Sequence, residues 1–187
     1  IVEAHRAYIE PFEADAYRHA WSGFSDRSLG DVTPKAAAFL GADRDEILLT
    51  RNTTEGMNLV ATGMRLEPGD EILTTTHEHP GGLNGWQHME QMQDVVVNKI
   101  DLPVPAKSKA EILERVEDGI TARTRVCSFS HITTTTGLIM PMAEIAEITR
   151  PRDILLVCDG AQAPGMLDVD VHQLGVDAYA SSSHKWM

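Results

Sequence analysis

The sequence predicts an α/β fold: a mainly parallel sheet sandwiched by helices. Three observations predict it. Short runs rich in Ile, Leu and Val alternate with longer stretches of helical apolar spacing, turn signals stand at the joins, and the alternation repeats along most of the chain. Strand–helix–strand repetition of this kind requires crossovers, and crossovers lay helices on the faces of a parallel sheet. At 187 residues the chain can bury one full core, whereas two comfortable domains are not expected at this length.

Residues 1–40 are expected to form an N-terminal helical segment, and residues 41–187 the sheet domain. Strands are expected at Glu46–Thr50 (EILLT), Glu71–Thr75 (EILTT), Val95–Ile100 (VVVNKI), Arg125–Ser130 (RVCSFS), Ile154–Cys158 (ILLVC) and Ala178–Ser181 (AYAS). These short apolar runs suit strands buried on both faces. Helices are expected where apolar residues recur near one face. Thr54–Met64 carries Met57, Leu59, Val60 and Met64, and Gly82–Gln93 carries Leu83, Trp86, Met89 and Met92. Lys109–Ile120 carries Ile112, Leu113, Val116 and Ile120, and Met142–Thr149 carries Ile145 and Ile148. That spacing makes one apolar stripe per helix. Pro68-Gly69-Asp70, Pro80-Gly81-Gly82 and Pro164-Gly165 read as turns.

Composition narrows the function. The net charge is -12, from 16 basic and 28 acidic residues, which opposes nucleic acid or an anionic membrane surface as the main partner. Cys127 and Cys158 each lie inside an apolar run, without a CxxC pair. They read as buried strand residues in a reducing compartment. The longest purely apolar stretch, 154–158, is far too short for a bilayer. The acidic N-terminus lacks the basic-then-apolar order of a signal peptide, so a cytoplasmic protein is expected. The first residue is not Met, which reads as a cut or processed start.

Open α/β sheets bind ligands outside the carboxyl ends of their strands. RNTTEG, THEHPGG, HITTTTG, DGAQA and SSHKW each follow a predicted strand. Five of the six strand-end loops therefore carry hydroxyls, imidazoles, a carboxylate, an amide and an amine to one edge, and together they mark a site. Thr53 and Thr54 open a helix, where they could cap it or help hold a phosphate. Asp159 could cap a turn or pair with a cationic ring nitrogen. Lys185 follows a buried strand beside Ser182 and His184; there, a desolvated or cation-flanked amine can lose its proton and attack a carbonyl, forming a Schiff base. His77, His79 and His88 raise a metal site, but alternate residues of an extended segment point to opposite sides and no companion motif supports them; no metal is expected. A Ser-His-Asp hydrolase built on Ser182 or Ser183, His184 and Asp159 lacks the G-x-S-x-G elbow.

RNTTEGMNLVATG, THEHPGGLNGW, SHITTTTGLIMP, DGAQAPG and SSSHK, in this order and spacing, resemble the class V aminotransferase family. These are pyridoxal 5'-phosphate enzymes of fold type I that include cysteine desulfurases and isopenicillin-N-epimerase-like proteins. The similarity runs from about Phe39 to the end, and HEHPGG looks most like the epimerase-like branch. The resemblance implies that Lys185 bonds the cofactor's aldehyde and then serves as the base that moves the substrate's α proton. It implies that Asp159 pairs with the pyridine nitrogen, that His79 stacks on the ring, and that Gln162 bonds the phenolic oxygen. Thr53, Thr54, Ser182 and His184 would hold the phosphate. The implied reaction is transamination or epimerisation of an amino acid. The alternatives are a cysteine desulfurase or selenocysteine-lyase-type C–S lyase, and a non-catalytic remnant of the fold.

Thr134 occupies the position where desulfurases usually place an asparagine, which argues against desulfurase-type contacts to the substrate carboxylate. Neither Cys127 nor Cys158 matches the desulfurase nucleophile, but the resemblance places that cysteine on a late loop outside this chain, so its absence is no evidence against a desulfurase. The resemblance also implies a parent protein roughly twice as long, a domain-size expectation, with the C-terminal small domain outside this chain. A homodimer is expected for that parent, because fold type I enzymes commonly complete each site from a second subunit.

Overall fold

The computed structural model describes residues 2–18 and 32–186. They divide into two compact units, Ile1–Leu49 and Thr50–Met187. The first contains helices α1 (Val2–Ala14) and α2 (Val32–Leu40), then a 3-10 turn at Arg44–Glu46.

The second unit runs α3 (Thr53–Gly63), β1 (Glu71–Thr75), α4 (Pro80–Gln93), β2 (Val96–Ile100), α5 (Lys109–Gly119) and β3 (Thr124–Ser130). It continues through α6 (Met142–Thr149), β4 (Leu155–Asp159), the short α7 (Val171–Leu174) and β5 (Ala178–Ala180). The five strands form one parallel sheet in the order β2-β1-β3-β4-β5.

Period-two alternation divides the core. Ile72, Val126 and Val157 pack on one face with Met57, Ala61, Trp86 and Met89 of α3 and α4. Their neighbours Leu73, Cys127 and Leu156 pack on the other with Ile112 and Val116 of α5 and Met142 and Ile145 of α6. Both faces are thus covered, as apolar strands without a polar side demand. Gly85 lets α3 and α4 lie close, because a Cβ there would stand 3.0 Å from that of Ala61. Trp86 is fully buried and its indole N–H donates to Ser128 Oγ at 2.9 Å, so the large side chain leaves no orphan donor.

One expected strand is absent. Glu46 of EILLT belongs to the 3-10 turn, and residues 47–50 pair with no strand among the described residues. Leu48 and Leu49 are 73% and 41% exposed. A strand of this kind forms only where a sheet edge accepts it, and the apolar run alone does not supply one. The helix at Val171–Leu174 is too short to leave a periodic signal. No helix among the described residues is long and apolar enough to cross a membrane.

Candidate active site

In a parallel sheet every strand ends at the same edge, and here that edge gathers most of the residues singled out above. Asn52, not a threonine, caps α3: its side chain accepts from Glu55 N at 2.9 Å. That leaves Thr53 free for another partner. Its backbone N–H donates to Ser182 Oγ at 3.0 Å, and the two hydroxyls stand 2.6 Å apart. Both residues are buried, so the start of α3 and the exit of β5 are tied together by satisfied polar groups.

The start of α4 lies beside the start of α3. His79 is the N-cap, and its Nδ1 accepts from Gly81 N at 3.0 Å. A Cβ on Gly81 would come within 2.3 Å of Thr54 Oγ1, and one on Gly82 within 2.6 Å of Asp159 Oδ2. The helix expected from Gly82 thus opens two residues earlier, at Pro80, and the Pro-Gly-Gly that reads as a turn lies inside it. The two glycines belong to the first turn of α4, bare of side chains so that Thr54 and Asp159 can approach its backbone. Two helix N-termini thus sit side by side, a natural anion cradle.

Asp159 is the last residue of β4 and is buried. Its Oδ1 accepts from Ala161 N at 3.0 Å. Burial pushes its carboxyl up, while the Ala161 N–H and the Lys185 and His79 side chains draw it back. A buried acid with one backbone donor is suited to a cationic partner.

Beyond β5 the surroundings change. His184 and Lys185 are exposed in a turn. The desolvated amine expected from sequence is not what the structure shows; burial by Ser181–Ser182 stops two residues short of the lysine. Lys185 nevertheless lies close enough to act electrostatically on Asp159. Gln162 is half-buried, and its Oε1 accepts from Trp186 Nε1 at 2.8 Å. Indole N–H is donor only, so this bond fixes the amide and leaves its NH2 as the free donor. Ser181 Oγ is buried with no partner among the described residues.

The competing readings fare differently. Ser182 bonds Thr53, and no bond to His184 is present among the described residues, so the hydrolase arrangement is not assembled. His77, His79 and His88 join no cluster of three ligand-bearing side chains among the described residues. Burial pushes Cys127 up to about 12 and Cys158 well above its usual range, which leaves both thiols unreactive. Thr134 is exposed in the loop after β3.

Two features escaped the sequence reading. Glu78 accepts from Thr75 Oγ1, Ser130 N and Ser130 Oγ; an acid directly behind a buried strand, between two histidines, was the available signal. His131 and Tyr179 bond at 3.0 Å between Nδ1 and the phenol, and the Tyr179 ring lies against Gly160, where a Cβ would stand 2.2 Å from it. Burial lowers His131 and raises Tyr179, so the pair stays neutral.

The family model for class V aminotransferases matches residues 2–187. Isopenicillin N epimerase of Streptomyces clavuligerus is 38% identical over 81% of this chain and 38% of its own length. A probable cysteine desulfurase of Methanothermobacter thermautotrophicus is 30% identical over 99% of this chain and 46% of its own. A solved structure of a C-DES variant with glycine covalently linked to its PLP cofactor superposes with a TM-score of 0.88 at 26% identity, covering 99% of this chain and 49% of that one. The chain thus spans less than half the length of these relatives, and within that span it belongs to the class V aminotransferase family.

Proposed function

We propose that the chain is the cofactor-binding part of a pyridoxal-phosphate enzyme that acts on an amino acid by transamination or epimerisation. The observation that carries this is the junction of Thr54, Gly81, Gly82 and Asp159, where two helix N-termini stand next to a buried acid. The donor set fits the cofactor at both ends. Thr53, Thr54, Ser182 and His184, with the backbone N–H groups opening α3 and α4, would hold the phosphate. Asp159 would hold a proton on the ring nitrogen, and Gln162 would offer its free NH2 to the phenolic oxygen. When bound, pyridoxal phosphate supplies an aldehyde that an amine can bond and a ring that accepts an electron pair.

The remaining work falls to the chain's own side chains. Asp159 would offer its carboxylate to the cationic ring nitrogen, and the Ala161 N–H orients that carboxylate. His79, fixed as N-cap, presents its ring at the start of α4. Lys185, exposed in the turn after β5, would bond the aldehyde, and its Nζ would then take and return a proton. Residues 41–187 are then the incomplete large domain and 1–40 the N-terminal helical segment of a cytoplasmic homodimer.

Epimerisation is supported by the epimerase relative, with 38% identity. A C–S lyase is the second reading, supported by the desulfurase relative that matches 99% of the chain. A screen of amino acids with the full-length protein separates them: solvent-deuterium incorporation with loss of chirality marks an epimerase, keto-acid formation a transaminase, and sulfide release from cysteine a lyase. Failure of every amino acid to perturb the bound cofactor's absorbance contradicts the proposal.

A further inference from the structure

Glu78 has no part in the chemistry just proposed, yet it is among the most thoroughly bonded side chains at this edge. Thr75 Oγ1 donates to Oε1 at 2.6 Å; Ser130 N and Oγ donate to Oε2 at 2.8 and 2.6 Å. Three convergent donors require an acceptor with two oxygens, which a carboxylate provides.

The place of these bonds matters more than their number. Thr75 ends β1 and Ser130 ends β3. β1 leads into α4 on one face of the sheet, and β3 leads toward α6 on the other. The crevice between them is the point where the connections part to opposite sides. The β1–β3 ladder runs only to Leu73 opposite Cys127. Beyond it side chains take over: Thr74 Oγ1 donates to Ser128 O, and then Glu78 bridges to Ser130. Ser130 is itself in register with Asp159 on β4. The residue after Glu78 is His79, whose carbonyl receives Gly82 N and Leu83 N and whose ring receives Gly81 N.

We propose that Glu78 is a positioning residue: by closing the β1–β3 crevice it pins the first turn of α4, and His79 with it, beside Asp159. Reach, rather than charge, is what the role needs. The consequence for cofactor binding rests on the function proposed above; the consequence for α4 does not.

The test uses the full-length protein with Glu78→Ala, Glu78→Gln and Ser130→Ala. Two quantities are read: amide hydrogen exchange of the cofactor-free protein, and the dissociation constant for pyridoxal phosphate by absorbance. Glu78→Ala is expected to speed exchange at Gly81, Gly82 and Leu83 by about tenfold or more, with β4 amides much less affected. It should also weaken cofactor binding by about tenfold. Glu78→Gln keeps an oxygen for the two Ser130 donors and should return both readings to within about threefold of wild type. Ser130→Ala removes one donor and should shift exchange the same way by a few-fold, about twofold to fourfold; it carries the test if Glu78→Ala does not fold. Unchanged exchange at the start of α4, equal loss of protection over β1, β3 and β4, or a glutamine variant as impaired as the alanine one overturns the proposal. A wild-type protein that binds no cofactor removes the proposed function instead, and the exchange reading still decides the place of Glu78.

Discussion

The carboxyl edge of the sheet has two halves built on opposite principles. Around the ends of β1, β3 and β4, polar side chains are buried or half-buried and bonded: Glu78 to Thr75 and Ser130, Asp159 to Ala161 N, Trp86 to Ser128. Past the end of β5 the chain turns outward, and His184, Lys185 and Trp186 stand exposed, the last by 53%. The first half fixes charge in advance, which lets an electrostatic partner be held without reorganisation. The second leaves the Lys185 amine in solvent, which suits the bond-forming role proposed for it above. Rigidity and exposure are thus placed on different loops, joined through the Thr53–Ser182 bond.

The contrast can be broken most severely at Asp159. Asp159→Asn keeps the shape and the acceptor for Ala161 N but removes the charge. Cofactor affinity should fall by about a hundredfold, roughly the loss of one buried charge-assisted bond. Stability should move the other way. Burial raises the Asp159 carboxyl in the folded state, so its protonated form stabilises the fold at low pH and that contribution is lost as pH rises through the raised value. The cofactor-free asparagine variant should therefore be at least as stable as wild type at neutral pH. The gap should close as the pH falls toward the ordinary carboxylate range. Denaturant titrations at several pH values measure this, and a variant less stable at neutral pH contradicts it.

Gly82→Ala tests the same half by crowding. Alanine normally favours a helix, yet here its Cβ would meet Asp159 Oδ2. The overpacking should cost about 1–3 kcal/mol in urea unfolding. The junction of the halves is probed by Ser182→Ala, which strips Thr53 N–H and hydroxyl of their buried partner and should cost about 1–2 kcal/mol. The smallest effect belongs to the exposed half. Trp186→Phe should leave thermal stability within about 0.5 kcal/mol, as surface changes do. By freeing the Gln162 amide, it should still shift the absorption of bound cofactor, and an unshifted spectrum would show that the indole does not orient that amide.

How far the sequence foretold this edge depended on the kind of signal. β4 and its aspartate were legible because ILLVC followed by DG has one plausible strand and one plausible end. EILLT had the same apolar content and failed, because strand formation also needs a neighbour to pair with, and that is not local. Thr53 was read as either a cap or a phosphate ligand; Asn52 takes the cap, one residue earlier, and the threonine bonds Ser182. Pro80-Gly81-Gly82 was read as a turn with the helix opening at Gly82, since nothing local shows that Thr54 and Asp159 come against these glycines. Glu78 left only a faint local signal, an acid between two histidines, because its partner Ser130 is 52 residues away. Lys185 was marked by its neighbours in sequence, but its exposure follows from how the chain leaves β5.

The central claim is that Lys185 carries the cofactor. Incubating the full-length protein with pyridoxal phosphate, reducing with borohydride and mapping the modified peptide tests it directly. One stable adduct on Lys185 is expected, and none in Lys185→Ala, a variant whose unfolding midpoint in the cofactor-free form should match cofactor-free wild type because the side chain is exposed. No adduct, an adduct on another lysine, or one that persists at this site in the variant would contradict it.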